Sequence, residues 1–294
     1  MGHTAHPDVQ PFFHAESGTF SYVVHAGQGS GAVIIDPVLD FDAASGQVGG
    51  QGVDALLHFV KAQRLRVHWI LETHAHADHM TAARTLRTLL GARVAIGRGI
   101  VDVQACLQPM LAMADGFVPD GSQFDRLLDD GDNVEAGELV VRVLATPGHT
   151  ADGHTYLVGD AAFVGDTLFA PDVGTARCDF PGGDAATLYR SIQRILALPA
   201  STRMFLCHDY PPPRSRDPLA QTSVSTQRDK NMHVGGGVLE EDFVGMRKAK
   251  DATLKPPRLM QPALRVNLDG GQLPPADADG VTYSTLRIDV QNAP

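Results

Sequence analysis

Four metal-binding side chains stand within six residues in the stretch Thr73-His74-Ala75-His76-Ala77-Asp78-His79. Imidazole and carboxylate are the usual protein ligands of zinc, iron and manganese. Three more ligand-type groups follow, each at the end of a short apolar run. His149 lies in Thr146-Pro147-Gly148-His149-Thr150 after Leu139 to Ala145, and Asp166 lies in Gly165-Asp166-Thr167 after Ala161 to Val164. His208 lies in Cys207-His208-Asp209 after Met204 to Leu206. An active site draws its groups from several separated places in a chain.

The elements around these residues explain how they could meet. Val67 to Leu71 is mostly apolar and reads as a buried strand. Thr81 to Leu90 reads as a helix with Leu86, Leu89 and Leu90 on one face and Gly91 as a stop. The cluster therefore occupies a loop between the carboxyl end of a strand and a helix, where sites sit in open α/β folds. Thr19 to His25 and Gly31 to Asp36 read as strands joined by Gly27-Gln28-Gly29-Ser30-Gly31. That glycine run precedes a strand and lacks a Gly-Lys-Ser/Thr ending, so it reads as a hairpin turn rather than a phosphate loop.

Further along, Ser45 to Gly52 reads as a flexible loop and Asp54 to Lys61 as a helix. Arg93 to Ile96, Val140 to Ala145, His154 to Val158, Ala161 to Val164 and Met204 to Cys207 read as strands. Asp120 to Ala136, rich in Asp and Gly, reads as turns with solvated acids. Asp184 is suited to cap a helix carrying Leu188, Ile192, Ile195 and Leu196, which Pro199 ends. Two strand-rich halves, each with helices, imply an α/β fold, a four-layer αββα sandwich.

From Pro211 the texture changes. Pro211-Pro212-Pro213-Arg214 reads as an extended bend, Leu239 to Leu254 as a helix and Val281 to Val290 as strand-like. The expected organisation is one domain over 1–294, with 211–294 a carboxyl-terminal cover packed on the sandwich.

Composition bounds the function. Hydrophobic residues are 43% and charged residues 20%, as in ordinary globular proteins. A formal net charge of -10 disfavours nucleic acid, whose phosphates call for a basic surface. No apolar run approaches the ~20 residues of a membrane span. The amino terminus lacks an apolar secretory core, and position 6 is His where myristoylation favours Ser or Thr. Cys106, Cys178 and Cys207 are too few for a disulfide framework. A cytoplasmic location is expected. A homodimer is left open.

The pattern HxHxDH, followed by Thr-Pro-Gly-His-Thr, Gly-Asp-Thr and a late His, resembles the metallo-β-lactamase superfamily from about residue 19 to 210. The resemblance implies the same αββα sandwich. It also implies room for two metals. In the zinc hydrolases of that superfamily, positions matching His74, His76 and His149 form one site. Those matching Asp78, His79 and His208 form the other, and the match to Asp166 bridges. Such a pair would activate water against an ester or thioester. Alternatively, His74, His149 and Asp166 alone make the two-imidazole, one-carboxylate set of non-haem Fe(II) oxygenases. His76, Asp78, His79 and His208 would then be second-metal positions left unused, orienting the ligands.

The stretch after Asp166 resembles the persulfide dioxygenases. It runs Asp166-Thr167-Leu168-Phe169, Gly174-Thr175-Ala176-Arg177-Cys178-Asp179-Phe180, Thr187-Leu188-Tyr189 and His208-Asp209-Tyr210. The resemblance implies one Fe(II) per chain on His74, His149 and Asp166, and oxidation of glutathione persulfide by O2 to sulfite and glutathione. The alternative is a two-metal, glyoxalase II-like hydrolase of glutathione thioesters. Two departures stand out: Cys178 where the family usually has Thr, and Ala176 where it has Gly.

Arg177 and Tyr210 are the expected substrate-binding residues, because a guanidinium fork suits a glutathione carboxylate. Cys178 is expected to be a passive thiol at the pocket rim, and Cys106 and Cys207 to be core. Arg228, Lys230, Arg247 and Lys248 are expected to be solvated.

Overall fold

The computed structural model describes residues 6–111, 113–114, 116–211, 215–274, 281–283 and 287–289. Expectations for residues 1–5, for 212–214 of the proline bend, and for 284–286 and 290 of the carboxyl-terminal strand lie outside them.

The first sheet has six strands in chain order: β1 (Asp8–His14), β2 (Thr19–His25), β3 (Gly31–Ile35), β4 (Arg66–Leu71), β5 (Arg93–Gly97) and β6 (Arg126–Leu128). The second has β7 (Asn133–Ala136), β8 (Leu139–Ala145), β9 (His154–Val158), β10 (Ala161–Phe163), β11 (Arg203–Phe205) and β12 (Gln221–Ser223). The helices are α1 (Gln51–Ala62), α2 (Ala83–Leu90), α3 (Ile100–Leu107), α4 (Ala185–Leu196), α5 (Val224–Lys230), α6 (Glu240–Asp251) and α7 (Met260–Asn267).

Side-chain alternation along the strands sorts the core into three layers. Val23, Ile34, Ile70 and Val94 point outward and meet α1, α2, α3 and α7. Their neighbours Tyr22, Val24, Val33, Ile35, Trp69 and Leu71 point inward against Val141, Val143, Tyr156, Phe163 and Phe205 of the second sheet. On its outer face, Ala162 and Met204 meet Leu188, Ile192 and Ile195 of α4 and Phe243 of α6. Both faces of both sheets are covered, so β2, β3 and β9 are buried at every position. This is the four-layer αββα sandwich.

Several local expectations hold. The glycine run joins the antiparallel hairpin β2–β3, and the Asp184 carboxylate caps α4 by accepting from the Thr187 amide at 2.7 Å. Others are corrected. The acidic stretch 120–136 contributes two strands, β6 and β7, and 45–52 contains the short strand Gln47–Val48 and the start of α1. Leu89 is exposed, because α2 buries only Ala83 and Leu86. Arg247 is not solvated: it is 2% exposed and pairs with Asp251 at 2.6 Å. Exposed Arg228 caps the end of α4 by donating to the Leu196 and Leu198 carbonyls. Lys230 and Lys248 are exposed, as expected.

The chain after residue 214 packs on both outer layers, α6 on α4 and α7 in the first core. Strands Val281–Tyr283 and Arg287–Asp289 pair with each other, and the second joins Gln47. No helix among the described residues is long and apolar enough to cross a membrane.

Candidate metal centre

Five loops meet at one edge of the sandwich. Asp36 ends β3, the ligand loop 74–79 follows β4, and His149 follows β8. Asp166 follows β10 and His208 follows β11. Parallel pairing of β3 with β4, and of β10 with β11, delivers the carboxyl ends of these strands to the same edge. Gly148 makes the approach of the His149 loop possible. Its φ is +134° and a Cβ there would sit 2.3 Å from the Leu188 amide nitrogen.

All seven expected ligand positions come together, in overlapping groups, two of which hold all seven. His74, His149 and Asp166 offer atoms within 4.8 Å of one another, and so do His76, Asp78, His79 and His208. Asp166 Oδ2 lies 3.8 Å from His74 Nε2 and 3.7 Å from His149 Nε2. Its other oxygen, Oδ1, lies 3.4 Å from His208 Nε2. Two ligand atoms each ~2.1 Å from one ion are at most ~4.2 Å apart, so these spacings suit a shared ion. Ring centroids of His74 and His76 are 4.1 Å apart, yet His76 groups with the second set rather than with His74 and His149.

Hydrogen bonding tests whether a metal fits. His149 Nδ1 donates to the Arg177 carbonyl at 2.7 Å. His74 Nδ1 meets Thr73 Oγ1 at 3.1 Å, His208 Nδ1 meets Thr19 Oγ1 at 3.1 Å, and His79 Nδ1 meets the Met80 carbonyl at 3.3 Å. Each ring thus has Nδ1 engaged and Nε2 left over, the arrangement of metal-ligating imidazoles. Buried His79 Nε2, His208 Nε2, Asp166 Oδ1 and His76 Nδ1 have no hydrogen-bond partner among the described residues. Orphaned polar atoms are costly in a dry interior. His76, His79 and His208 share one group with Asp78, and Asp166 Oδ1 faces His208 at 3.4 Å, so the unpaired atoms lie where a cation fits. Burial first, then the neighbouring imidazoles, pushes the pKa of His74 well down and that of His79 down to about 3. Both are therefore neutral, as metal ligands must be.

The sequence did not single out the groups that brace this cluster. Asp36 is 2% exposed and has a φ of +48°. Its carboxylate accepts from the Thr73 amide at 2.7 Å and hydroxyl at 2.8 Å, and lies 3.1 Å from His76 Nε2. Burial alone would raise the Asp36 pKa; His76 and the Thr73 donors outweigh it and lower it. Burial and then Asp36 push the neighbouring Glu72 carboxyl up to about 8. Asp152 accepts from the Ala75 amide at 2.7 Å. The Asn267 amide of α7 donates to the His76 and His79 carbonyls at 2.8 Å each.

A cavity of about 350 Å³ opens beside His149, Asp166 and Asp78. Arg177, Tyr210, Thr175, Arg247 and Lys250 line it. The Tyr210 ring stacks on His208 at 5.6 Å and 11°. Arg177 is on the wall, but its fork is held by Asp179 through two bonds of 2.6 Å and by the Lys255 carbonyl at 2.7 Å. Lys250 Nζ meets His233 Nε2 at 3.1 Å. Burial, then Lys250, pushes His233 down to about 4, leaving that imidazole uncharged near neutral pH.

The cysteines split differently from expectation. Cys207 is core, but Cys106 is exposed, on the side of α3 opposite Ile100, Val103 and Leu107. Cys178 is not at the cavity rim; it is buried in the outer core of the second sheet. Burial, then Asp251, pushes its thiol up to about 12. At pH 8 a thiol-alkylating reagent is therefore expected to label Cys106 alone in the native protein and all three cysteines after denaturation. Mass spectrometry of native, labelled protein showing alkylated Cys178 would contradict this burial.

The metallo-beta-lactamase superfamily model matches residues 15–208, from β2 through His208. The chain belongs to the metallo-beta-lactamase superfamily.

A probable metallo-hydrolase of Burkholderia pseudomallei is 46% identical over 96% of this chain and 99% of that protein. A Dictyostelium discoideum protein named glyoxylase B2 is 41% identical over 95% of this chain and 96% of its own length. Some relatives are longer: the chain spans 65% of the beta-lactamase hydrolase-like protein of Agrobacterium fabrum. Human mitochondrial persulfide dioxygenase ETHE1 is 32% identical over 69% of this chain and 68% of that protein. The crystal structure of ETHE1 from Myxococcus xanthus superposes with a TM-score of 0.71 at 31% identity, covering 90% of this chain and all of that one. The chain is thus a metallo-beta-lactamase superfamily enzyme with a metal-binding His/Asp cluster.

Proposed function

We propose that the protein is a non-haem iron dioxygenase that oxidises glutathione persulfide to sulfite and glutathione. One observation carries this reading: His74, His149 and Asp166 group without His76, as two imidazoles and one carboxylate beside a cavity. A two-metal hydrolase would draw His76 into that first site. Fe(II) on such a set supplies redox chemistry towards dioxygen and leaves coordination positions open. The balance is RSSH + O2 + H2O giving RSH and sulfurous acid. The two sulfurs together lose four electrons, which dioxygen gains.

The chain's own residues do the positioning. The Arg177 carbonyl holds the His149 ring in one tautomer. The cover formed by 211–294, taken as part of one domain with the sandwich, brings Lys250 to the cavity. With the Arg177 fork engaged by Asp179, Lys250 is the cation more open to a substrate carboxylate. Lys250→Ala should raise KM for glutathione persulfide about tenfold or more, since a hydrogen bond to a charged group is worth about 1.5–3 kcal/mol. Bound iron should not change. Arg177→Ala should have the smaller effect; the reverse order would assign the carboxylate to Arg177.

The second set, His76, Asp78, His79 and His208, favours the alternative of a two-metal hydrolase of glutathione thioesters. Metal analysis coupled to oxygen uptake separates the two. Protein produced with iron available should hold about one iron per chain and consume oxygen with glutathione persulfide. Two zinc ions, fast thioester hydrolysis and no oxygen uptake would establish the hydrolase instead.

A further inference from the structure

A second, smaller cavity adjoins the first at His149. It measures about 90 Å³ and shares Ala77, His149 and Phe180 with the larger one. Its character is opposite. Val103 and Leu107 of α3, Leu111, Leu264 of α7 and Ala75 of the ligand loop line it. Besides His149, its polar lining among the described residues is Thr150 and Gln261. The larger cavity carries Asp78, Arg177, Tyr210, Arg247 and Lys250. A charged cavity and an apolar cavity therefore adjoin at His149.

The two cavities suit two different reactants. A charged, peptide-like thiol belongs among the cations and hydroxyls of the larger cavity. A persulfide ends in a sulfur atom with nothing attached beyond it, so with that sulfur at the metal centre it has no further atoms to fill the apolar cavity. The cavity opens to solvent past exposed Met110, and apolar cavities take up apolar guests such as xenon. Dioxygen is an apolar diatomic that fits such a volume. We propose that this cavity is the holding site through which dioxygen reaches the metal centre. The proposal rests on the dioxygenase reading.

The test narrows the cavity without touching a ligand. Val103→Phe places a ring in it from α3. The variant should raise KM for oxygen at least fivefold, with iron content and KM for glutathione persulfide unchanged. Overpacking costs about 1–3 kcal/mol, so a measurement on the unaltered protein stands beside it. Crystals of the intact enzyme pressurised with xenon should show a xenon atom among Val103, Leu107 and Leu264. No xenon there, or a folded, iron-loaded variant with an unchanged KM for oxygen, would overturn the proposal. A raised KM for the persulfide alone would also overturn it and make the cavity a substrate subsite. Iron-loaded wild-type protein that hydrolyses thioesters but consumes no oxygen would sink the dioxygenase reading itself, which an unchanged KM for oxygen would not.

Discussion

Asp166→Ala should strip the metal and bring oxygen uptake to background, a loss well beyond tenfold. Asp166 is the one carboxylate of its group, and its two oxygens face different partners. Oδ2 lies 3.8 Å and 3.7 Å from His74 and His149, and Oδ1 lies 3.4 Å from His208. Alanine removes the charge that balances a divalent ion, and leaves imidazoles crowded around an empty centre. Removing a group that merely orients a ligand typically costs 10–100-fold in metal affinity or activity, so loss of a ligand should exceed that. Asp78→Asn is the informative companion. With one iron on the first group it should keep near-wild-type iron and a reduced turnover. In a two-metal enzyme it should release one of the two ions. Iron retained in Asp166→Ala, measured by elemental analysis of the folded variant, would remove Asp166 from the ligand set.

Asp36→Ala should be the most destabilising single change at the site. Two hydrogen bonds and one ion-pair contact converge on that carboxylate: the Thr73 amide and hydroxyl donate to it, and His76 Nε2 lies 3.1 Å away. Both members of the His76 pair are essentially buried. Removing one partner of a buried ion pair costs about 3–5 kcal/mol. At about 2–4 °C per kcal/mol, Tm should fall by roughly 6–20 °C. The positive φ adds to the loss, because alanine tolerates that conformation less well than aspartate. Asp36→Asn keeps an acceptor and a residue at ease in left-handed backbone, and should recover part of the stability. A thermal melt of Asp36→Ala within 2–3 °C of wild type would refute this account of the brace.

The candidate ligand cluster was legible because its signal is local. HxHxDH lies on one loop, and each remaining ligand-type residue follows an apolar run that reads as a strand. The sandwich was legible for a related reason: strands buried on both faces, such as β2 and β3, appear as continuous apolar runs. What braces the site was not legible. Asp36 reaches Thr73 only because β3 and β4 pair in parallel, and nothing near Asp36 marks it except its place before Pro37. The fork of Arg177 was predictable in chemistry but not in partner, since Asp179 two residues on competes with any ligand. Cys106 was misjudged because α3 was not recognised, so the face on which Cys106 lies could not be seen. Arg247 looks solvated in a charged helix, and only the packing of α6 on α4 shows that it is buried.

The Asn267 side chain sets a condition on the birth of this enzyme. It grips the carbonyls of His76 and His79, and its own carbonyl accepts from the Thr81 amide at 2.8 Å. The grip on His76 spans 191 positions of chain. A ribosome adding ~5–20 residues per second needs roughly 10–40 s to cover that distance. Through that interval the nascent ligand loop exists without the residue that shapes it.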